Sequence, residues 1–511
     1  MLNILEKKDQ SVLITDEENK IHEFFPVFDL NKSKQLLSTF NNLETIEGKK
    51  LYEVWSHDNY FILPALQEWL YWHIFVGVVS HQKAISHIRG KKFKIISKDG
   101  WIIGRISRWN KALNKKHTFF EKIFYNFVAD FFRKRFKPEN TFLLNDDGFE
   151  GFRFKEFKEI FKSKNFKRTE KLSNSSLLRL FFDKSIFVQG RYESSSNINK
   201  NFEIKEFPDE IMDFFSKDEL IKLISQINVR SSNIINEAKY LKKYFLKKNI
   251  SKLVTIDQVE ECLGLLLAFK SLNNEVISIQ HGPLTHFHSG WIGYGIPKEF
   301  CNLVPDKLIT WGKYWREFLL NNSNKYEESN TLVGPHLNKN IDYQNFRGER
   351  KLDPNNLKIL IPYEFLSDNI EISKFLEEFI RLGWKITIKL RPDGEKDYDF
   401  LSYSKIVQEK AEFKSEISKK ELEDFDIIAF TQTVFALEMM YLNIPLWYLV
   451  TPFNFLEAIS RDGLAHEINL EKLKTLNSIN LNDKYLKPIH TLDDYKNMFS
   501  DENILGFEKY L

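Results

Sequence analysis

From about residue 250 the apolar positions fall into two alternating patterns that predict strands and helices in turn. Leu253 to Ile256 predicts a β-branched strand, Val259 to Lys270 a helix apolar on almost every side, and Glu275 to Ile279 a second strand. A strand, a crossover of about 18 residues and a second strand predict a parallel βαβ unit. Lys307 to Thr310 predicts a further strand and Lys313 to Leu320 a helix. The polar stretch from Asn338 to Asn356, with Gly348 and Pro354, reads as a boundary. Beyond it the alternation restarts. Strands are expected at Leu357–Ile361, Trp384–Leu390, Asp426–Phe430 and Leu446–Leu449, with helices at Ile370–Leu382, capped by Gly383, and Val434–Leu442. The pattern is that of two α/β units in series, each with its own core.

The first third is less regular. Val12–Thr15 and Lys92–Ser97 read as short strands. The apolar run Phe61–Val79 holds Pro64, Gln67, Glu68 and His73, which favours a buried helix over a membrane span. Residues 105–137 carry ten Lys or Arg against Glu121 and Asp130, interleaved with phenylalanines, and residues 151–171 repeat that flavour. Such a stretch suits an anionic membrane surface; it equally suits a helix that buries its Phe face and solvates its basic side. The expected domains are 1–345, elaborated by the 105–171 stretch, then 346–490, then a C-terminal tail or helix over 491–511.

Composition narrows the classes. At 511 residues with 42% hydrophobic and 28% charged, the chain is a multidomain globular protein rather than a disordered one. Lys plus Arg number 74 and Asp plus Glu 71, a net charge of +3, which speaks against nucleic acid as a partner. Only Cys262 and Cys301 are present, without a CxxC spacing, so zinc ribbons and disulfide frameworks are excluded. Met1 to Gln10 is polar and lacks an apolar leader core. The expected location is the cytoplasm, with peripheral attachment to the inner membrane face through the basic stretch.

In open parallel sheets ligands gather beyond the C-terminal strand ends, so the polar residues there are the candidate chemistry. Asp257 and Glu260 follow the first strand. Gln280, His281 and Gly282 follow the second. A carboxylate near the imidazole would make it a better proton acceptor, and Gly282 would let a ligand approach the backbone. Asp257 and Glu260 also form a helix capping box, and His281 can be an ordinary loop histidine. His286 and His288 have metal-pair spacing but no neighbouring ligand cluster, so no metal is expected. In the second unit Lys389 and Arg391 alternate onto one side of a strand end, suited to phosphate oxygens. Thr431 and Thr433 open the next helix, as anion ligands or as plain N-caps, and Glu438 stands in an otherwise apolar helix, facing either solvent or a ribose diol. Val333-Gly334-Pro335 is a turn with backbone groups available to a ligand.

This order resembles the bacterial surface-carbohydrate glycosyltransferases of GT-B fold. It runs strand–Asp-x-x-Glu–helix–strand–Gln-His-Gly, then Thr-Trp-Gly and Val-Gly-Pro, then Lys-x-Arg-Pro and Thr-x-Thr-x4-Glu before Asn443-Ile444-Pro445. The resemblance covers residues 250–450 and is similar to the enzymes that use CMP-activated Kdo, sialic, legionaminic or pseudaminic acid. It implies two Rossmann-like domains facing a cleft, with a nucleotide sugar as donor substrate, a glycan or lipid-linked acceptor, and neither cofactor nor metal. It implies His281 or Asp257 as general base, with Glu260, Gln280, Gly282, Gly334, Lys389, Arg391, Thr431, Thr433 and Glu438 holding substrate. The family's Lys-x-His-Pro reads Lys-Leu-Arg-Pro, so Arg391 neutralises phosphate without donating a proton near neutrality. Asp146-Asp147-Gly148 resembles the acidic motif of GT-B sialyltransferases and reads equally as a turn. The alternatives are a teichoic-acid-type CDP-polyol phosphotransferase and a catalytically degenerate GT-B scaffold.

Overall fold

The computed structural model describes residues 1–7, 11–97, 106–114, 141–145, 166–170, 186–187, 202–255, 262–280, 282–336, 346, 348, 350–363, 369–390, 400, 403–475, 481, 483–500, 502 and 509–510. Two compact units interleave along the chain. One comprises Met1–Lys32, Val76–Arg108 and Asn340–Phe499; the other comprises Ser33–Phe75, Trp109–Lys339 and Ser500–Leu511. Residues 1–32 and 76–108 thus group with the chain beyond 340, and the last twelve residues group with the chain before it.

In the Ser33–Phe75, Trp109–Lys339 and Ser500–Leu511 unit, a two-residue hairpin, β4 (Ser56–His57) and β5 (Tyr60–Phe61), precedes the main sheet. The sheet contains β7 (Thr141–Asn145), β8 (Phe166–Glu170), β9 (Ile186–Phe187), β10 (Ile250–Thr255), β11 (Glu275–Ile279), β12 (Lys307–Thr310) and β13 (Thr331–Val333). All neighbours are parallel, in the order β13-β12-β11-β10-β7-β8-β9. Numbered by position along the chain, that order is 3-2-1-4-5-6-7, a doubly wound sheet whose winding reverses between β7 and β10. The central strands bury both faces: Val254, Val276, Ile277, Ile279, Leu308 and Ile309 are all inaccessible.

The helix Leu263–Lys270 is buried all round, as its composition predicts. It packs on a 32-residue helix, Lys217–Lys248, which the sequence reading passed over. That helix starts at a Ser216/Glu219 capping box and ends with Asn249 in the left-handed region. Its buried Leu220, Leu223, Ile227, Ser231, Ile234, Ala238, Leu241 and Phe245 recur every three or four positions, and Phe245 meets Phe269 with ring centroids 4.9 Å apart. The Phe61–Val79 run is a set of short buried helical turns, and no described helix is long and apolar enough to cross a membrane. Gln67, the polar residue deepest in it, exchanges amide hydrogen bonds of 2.8 and 3.1 Å with Asn41.

In the Met1–Lys32, Val76–Arg108 and Asn340–Phe499 unit, β1 (Leu2–Glu6), β2 (Val12–Thr15), β3 (Ile21–Phe24) and β6 (Phe93–Ser97) form a mixed sheet of order β3-β2-β1-β6. The larger sheet contains β14 (Lys358–Pro362), β15 (Lys385–Lys389), β16 (Glu412–Lys414), β17 (Ile427–Phe430), β18 (Leu446–Leu449) and β19 (His466–Ile468). It is wholly parallel, ordered β16-β15-β14-β17-β18-β19, which is 3-2-1-4-5-6. Its core stacks Phe379, Trp384 and Trp447, with centroids 5.5–5.8 Å apart. Phe28 meets Phe453 edge-on at 5.3 Å, which ties the N-terminal segment into this unit. The expectation of two Rossmann-like α/β sheets therefore holds. In the basic aromatic stretch only the helix Ile106–Asn114 is described; it buries Ile106, Trp109, Ala112 and Leu113, as a core-facing helix does. The remainder of 105–137, and Asp146-Asp147-Gly148, lie outside the described residues.

Both cysteines are buried thiols, and burial pushes Cys301 up to about 11. Burial also pushes the His490 imidazole down to about 4, although its Nε2 lies 3.2 Å from the Met440 carbonyl oxygen. Unfolded, that ring takes up a proton near its ordinary pKa of about 6.5, so between pH 6.5 and 4 the unfolded chain binds the extra proton. Its contribution is full above pH 6.5 and is lost as pH falls toward 4, by up to about 3 kcal/mol. Urea titrations at several pH values should show this loss in the wild type and a flatter profile in His490→Gln; identical profiles would count against it.

Candidate functional site

In a parallel sheet every strand delivers its chain to the same edge. In the Trp109–Lys339 sheet the register pairs Asn145 with Thr255, Thr255 with Ser278, Ile279 with Ile309, and Thr310 with Val333. Those strand ends are followed in sequence by Asp146-Asp147, Asp257, Gln280-His281-Gly282, Trp311-Gly312 and Gly334. Asp257, Glu260 and His281 lie outside the described residues.

Gln280 is described and fully buried. Its Oε1 accepts from the Trp311 backbone N–H at 3.0 Å, and its Nε2 donates to the Gly282 carbonyl oxygen at 2.8 Å. Its own carbonyl accepts from Trp311 Nε1 at 2.6 Å, and its N–H donates to the Ile309 carbonyl at 2.9 Å. The amide thus fixes both sides of position 281 and splices the ends of β11 and β12. These bonds of Gln280 run to the protein itself, a use its residue type could not reveal. Trp311, itself buried and packed at 4.4 Å against the His336 ring, completes the splice.

The two glycines part company. A Cβ on Gly282 would meet nothing within 4 Å among the described residues. A Cβ on Gly334 would drive into Ile309 Cγ2 and press on the Tyr510 ring. Gly334 N–H donates to the Thr310 carbonyl at 2.9 Å, and the Tyr510 hydroxyl donates to the Val333 carbonyl. The expectation that this turn offers backbone groups to a ligand is corrected for these two groups: they serve the fold, and packing accounts for the glycine.

In the Asn340–Phe499 sheet, Lys389 ends β15 and pairs with Pro362 of β14 on one side and Lys414 of β16 on the other. Its ammonium lies 5.2 Å from the Phe435 ring centroid and 3.4 Å from the Leu390 carbonyl oxygen. Burial lowers its pKa, and the Glu438 charge acts in the opposite sense. Glu438 is only 6% exposed, so the solvent-facing alternative falls away. Its backbone carbonyl accepts from the Tyr495 hydroxyl at 3.2 Å. Lys389, ending β15, therefore lies near Phe435 and Glu438 of the helix that follows β17, and β15 and β17 are the two neighbours of β14.

Thr433 is an N-cap, its Oγ1 accepting from the Phe435 N–H at 3.3 Å; the helix it opens, Val434–Glu438, continues as a 3-10 turn to Leu442. Thr431 is wholly buried. Arg391 lies outside the described residues. Sequence reasoning missed Phe435, whose ring beneath Lys389 looks like any core position in the pattern. Among the described residues no group of three or more His, Cys, Asp or Glu could hold a metal ion. His288 instead faces Glu68 at 3.4 Å, and His286 packs on Phe318.

No family model matches the chain, and no curated protein sequence matches it. Among solved structures it is similar to the calicheamicin glycosyltransferase CalG4, at 14% identity over 73% of this chain and 96% of that one, with a TM-score of 0.42. It is also similar to Staphylococcus aureus MnaA in complex with UDP (12% identity, 73% and 94% covered, TM-score 0.41) and to Acinetobacter baumannii MurG (11%, 71% and 93%, TM-score 0.37).

The two glycines give a direct check. Gly334→Ala should cost about 1–3 kcal/mol by overpacking, whereas Gly282→Ala should stay within about 0.5 kcal/mol of wild type in urea unfolding. Equal stability of the two variants would contradict the packing assignment.

Proposed function

We propose that the chain is a GT-B glycosyltransferase that moves a sugar from a nucleotide donor to a surface glycan, with a CMP-activated acidic sugar as the favoured donor. The observation that carries the reading is the pair of parallel sheets with the same reversed strand order. In one sheet Asp146 and Asp257 follow, in sequence, the two strands at the reversal; in the other, Thr431 to Glu438 follow β17 at the reversal and Lys389 ends β15, the neighbour of β14. Two doubly wound sheets in one chain are the architecture of that fold.

The roles divide by unit. Lys389 and Arg391 neutralise the donor phosphate, and Glu438 receives the ribose hydroxyls. The acceptor hydroxyl gives its proton to His281 or to a carboxylate as its oxygen bonds to the anomeric carbon. The bond from that carbon to the phosphate oxygen breaks, and its electron pair leaves with the nucleotide. Negative charge grows on the phosphate as this happens, where two fixed cations are worth most. Gln280 sets the position of His281. Asp146 and Asp147, which follow β7 in sequence as Asp257 follows β10, join it as proposed carboxylate bases; β7 and β10 are the strands at the reversal. Work at the inner membrane face, with a lipid-linked acceptor, would use the basic 105–137 stretch.

The test separates the roles. CMP should raise the melting temperature of the wild-type protein above any shift from UDP or GDP, and Arg391→Ala and Lys389→Ala should lose that shift. His281→Ala, Asp257→Asn, Asp146→Asn and Asp147→Asn should all keep it, while the variant that removes the base should lower kcat about 10²–10⁴-fold. No stabilisation by any of CMP, CDP, UDP and GDP would sink the reading, and a phosphodiester product would replace it with phosphotransfer.

A further inference from the structure

The Ser33–Phe75 and Trp109–Lys339 unit carries a concavity of about 460 Å³ whose lining includes neither Gln280 nor Gly282. That volume lies in the range of small-molecule sites, roughly 300–1,000 Å³. One wall is the end of the helix Leu30–Asn41, presenting Ser38 and Thr39, followed by Asn42; the other walls come from Leu43 to Lys50 and from residues 205–208. These walls are stitched together by backbone hydrogen bonds. Lys205 N–H donates to the Glu44 carbonyl at 2.8 Å, Ile46 N–H to the Glu203 carbonyl at 2.9 Å, and Leu51 N–H to the Leu43 carbonyl at 2.9 Å. Asn42 Nδ2 donates to the Gly295 carbonyl at 2.8 Å, which fixes its amide. The concavity is therefore preformed.

Its chemistry is mixed and balanced. Lys50 and Lys205 supply two positive charges, Glu44 and Glu206 two negative ones. Glu44 lies 3.0 Å from the Lys50 ammonium and 3.5 Å from that of Lys205. With the charges cancelling, neither an anion nor a cation gains net Coulomb energy here. What remains is a close set of ammonium, carboxylate, amide and hydroxyl groups, with Leu43 and Pro208 as the apolar part of the lining. Alternating donors and acceptors beside a small apolar surface complement a neutral molecule dense in hydroxyls and bearing a C–H face. We infer that this concavity binds a neutral saccharide. As a subsite for the acceptor glycan it rests on the proposed function, since it belongs to the unit assigned the base.

The test uses galactose, N-acetylglucosamine and lactose as probes in saturation-transfer NMR on the full chain. At least one should show transfer to its ring protons. The double variant Lys205→Ala/Glu206→Ala, at two exposed positions, should weaken that binding about tenfold while the melting temperature and the CMP shift stay as in wild type. Absence of transfer to all three sugars, or transfer undiminished in the double variant, would overturn the inference. So would inorganic phosphate displacing the sugar in wild type but not in the variant, because the pocket would then be an anion site. A CMP shift that persists when the sugars fail leaves the proposed function standing. Sugars that bind without any CMP shift support the pocket and remove only its reading as an acceptor subsite.

Discussion

A parallel strand returns its chain to the same edge of the sheet at every turn, and that constraint organises this protein. Hydrogen-bond direction alone fixes which end of each strand opens into a loop that precedes the next helix. When the strand order also reverses, the loops on either side of the reversal run to opposite faces, and a gap opens between them. Here the constraint acts twice, between β7 and β10 and again between β14 and β17. Lys389 and the residues from Thr431 to Glu438 are about 40 to 50 positions apart in the chain, yet parallel strands deliver them to the same edge of one sheet.

The constraint chooses the edge, but packing decides which edge residues remain available to a ligand. Gln280 shows the distinction. A polar side chain between a buried strand and a histidine invites a binding role, yet all of its hydrogen-bonding geometry is directed at Trp311 and Gly282. Burying a primary amide is tolerable only when both ends are satisfied. Gly334 makes the same point from the other side. Its missing side chain is required by Ile309 and Tyr510, so its place in a Val-Gly-Pro turn follows from crowding. Gly282, where a Cβ would meet nothing within 4 Å among the described residues, is the glycine whose backbone a ligand could approach.

Legibility in the sequence followed burial pattern. The strands Glu275–Ile279, Lys307–Thr310 and Leu446–Leu449 were readable to the residue, because a strand buried on both faces writes itself as an unbroken apolar run between turn signals. The 32-residue helix Lys217–Lys248 was readable too, from Leu220 through Phe245, but its polar majority and buried Ser231 and Ser232 diluted the stripe. The interleaving of the units was not readable, since grouping residues 1–32 with the chain beyond 340 depends on tertiary contacts such as Phe28 against Phe453. At the strand ends, residue type singled out Lys389 and Glu438, which the structure shows half-buried and buried, within electrostatic reach of each other. It could not foretell that Thr431 would be sealed inside or that Phe435 would lie beneath the ammonium.

The burial of Lys389 bears on how a charged product would be favoured over a charged substrate. Desolvation makes the ammonium dearer to keep than in water, and Glu438 offsets only part of that cost. Arg391, charged at every accessible pH, adds a second cation two positions on. On the proposed function, where Arg391 joins Lys389 at the phosphate, the two cations exceed the one carboxylate of Glu438 by one charge. On the proposed reading the donor's phosphate carries one negative charge as a phosphodiester, apart from the carboxylate on the sugar, and the departing nucleotide's phosphate carries close to two as a monoester near neutrality. Attraction to the cations therefore grows as the bond to the sugar breaks. An interaction that strengthens along the reaction lowers the barrier, whereas one of constant strength only tightens binding. On that reading the Lys-x-Arg spacing and the buried Glu438 are better matched to a leaving phosphate than to a resting one.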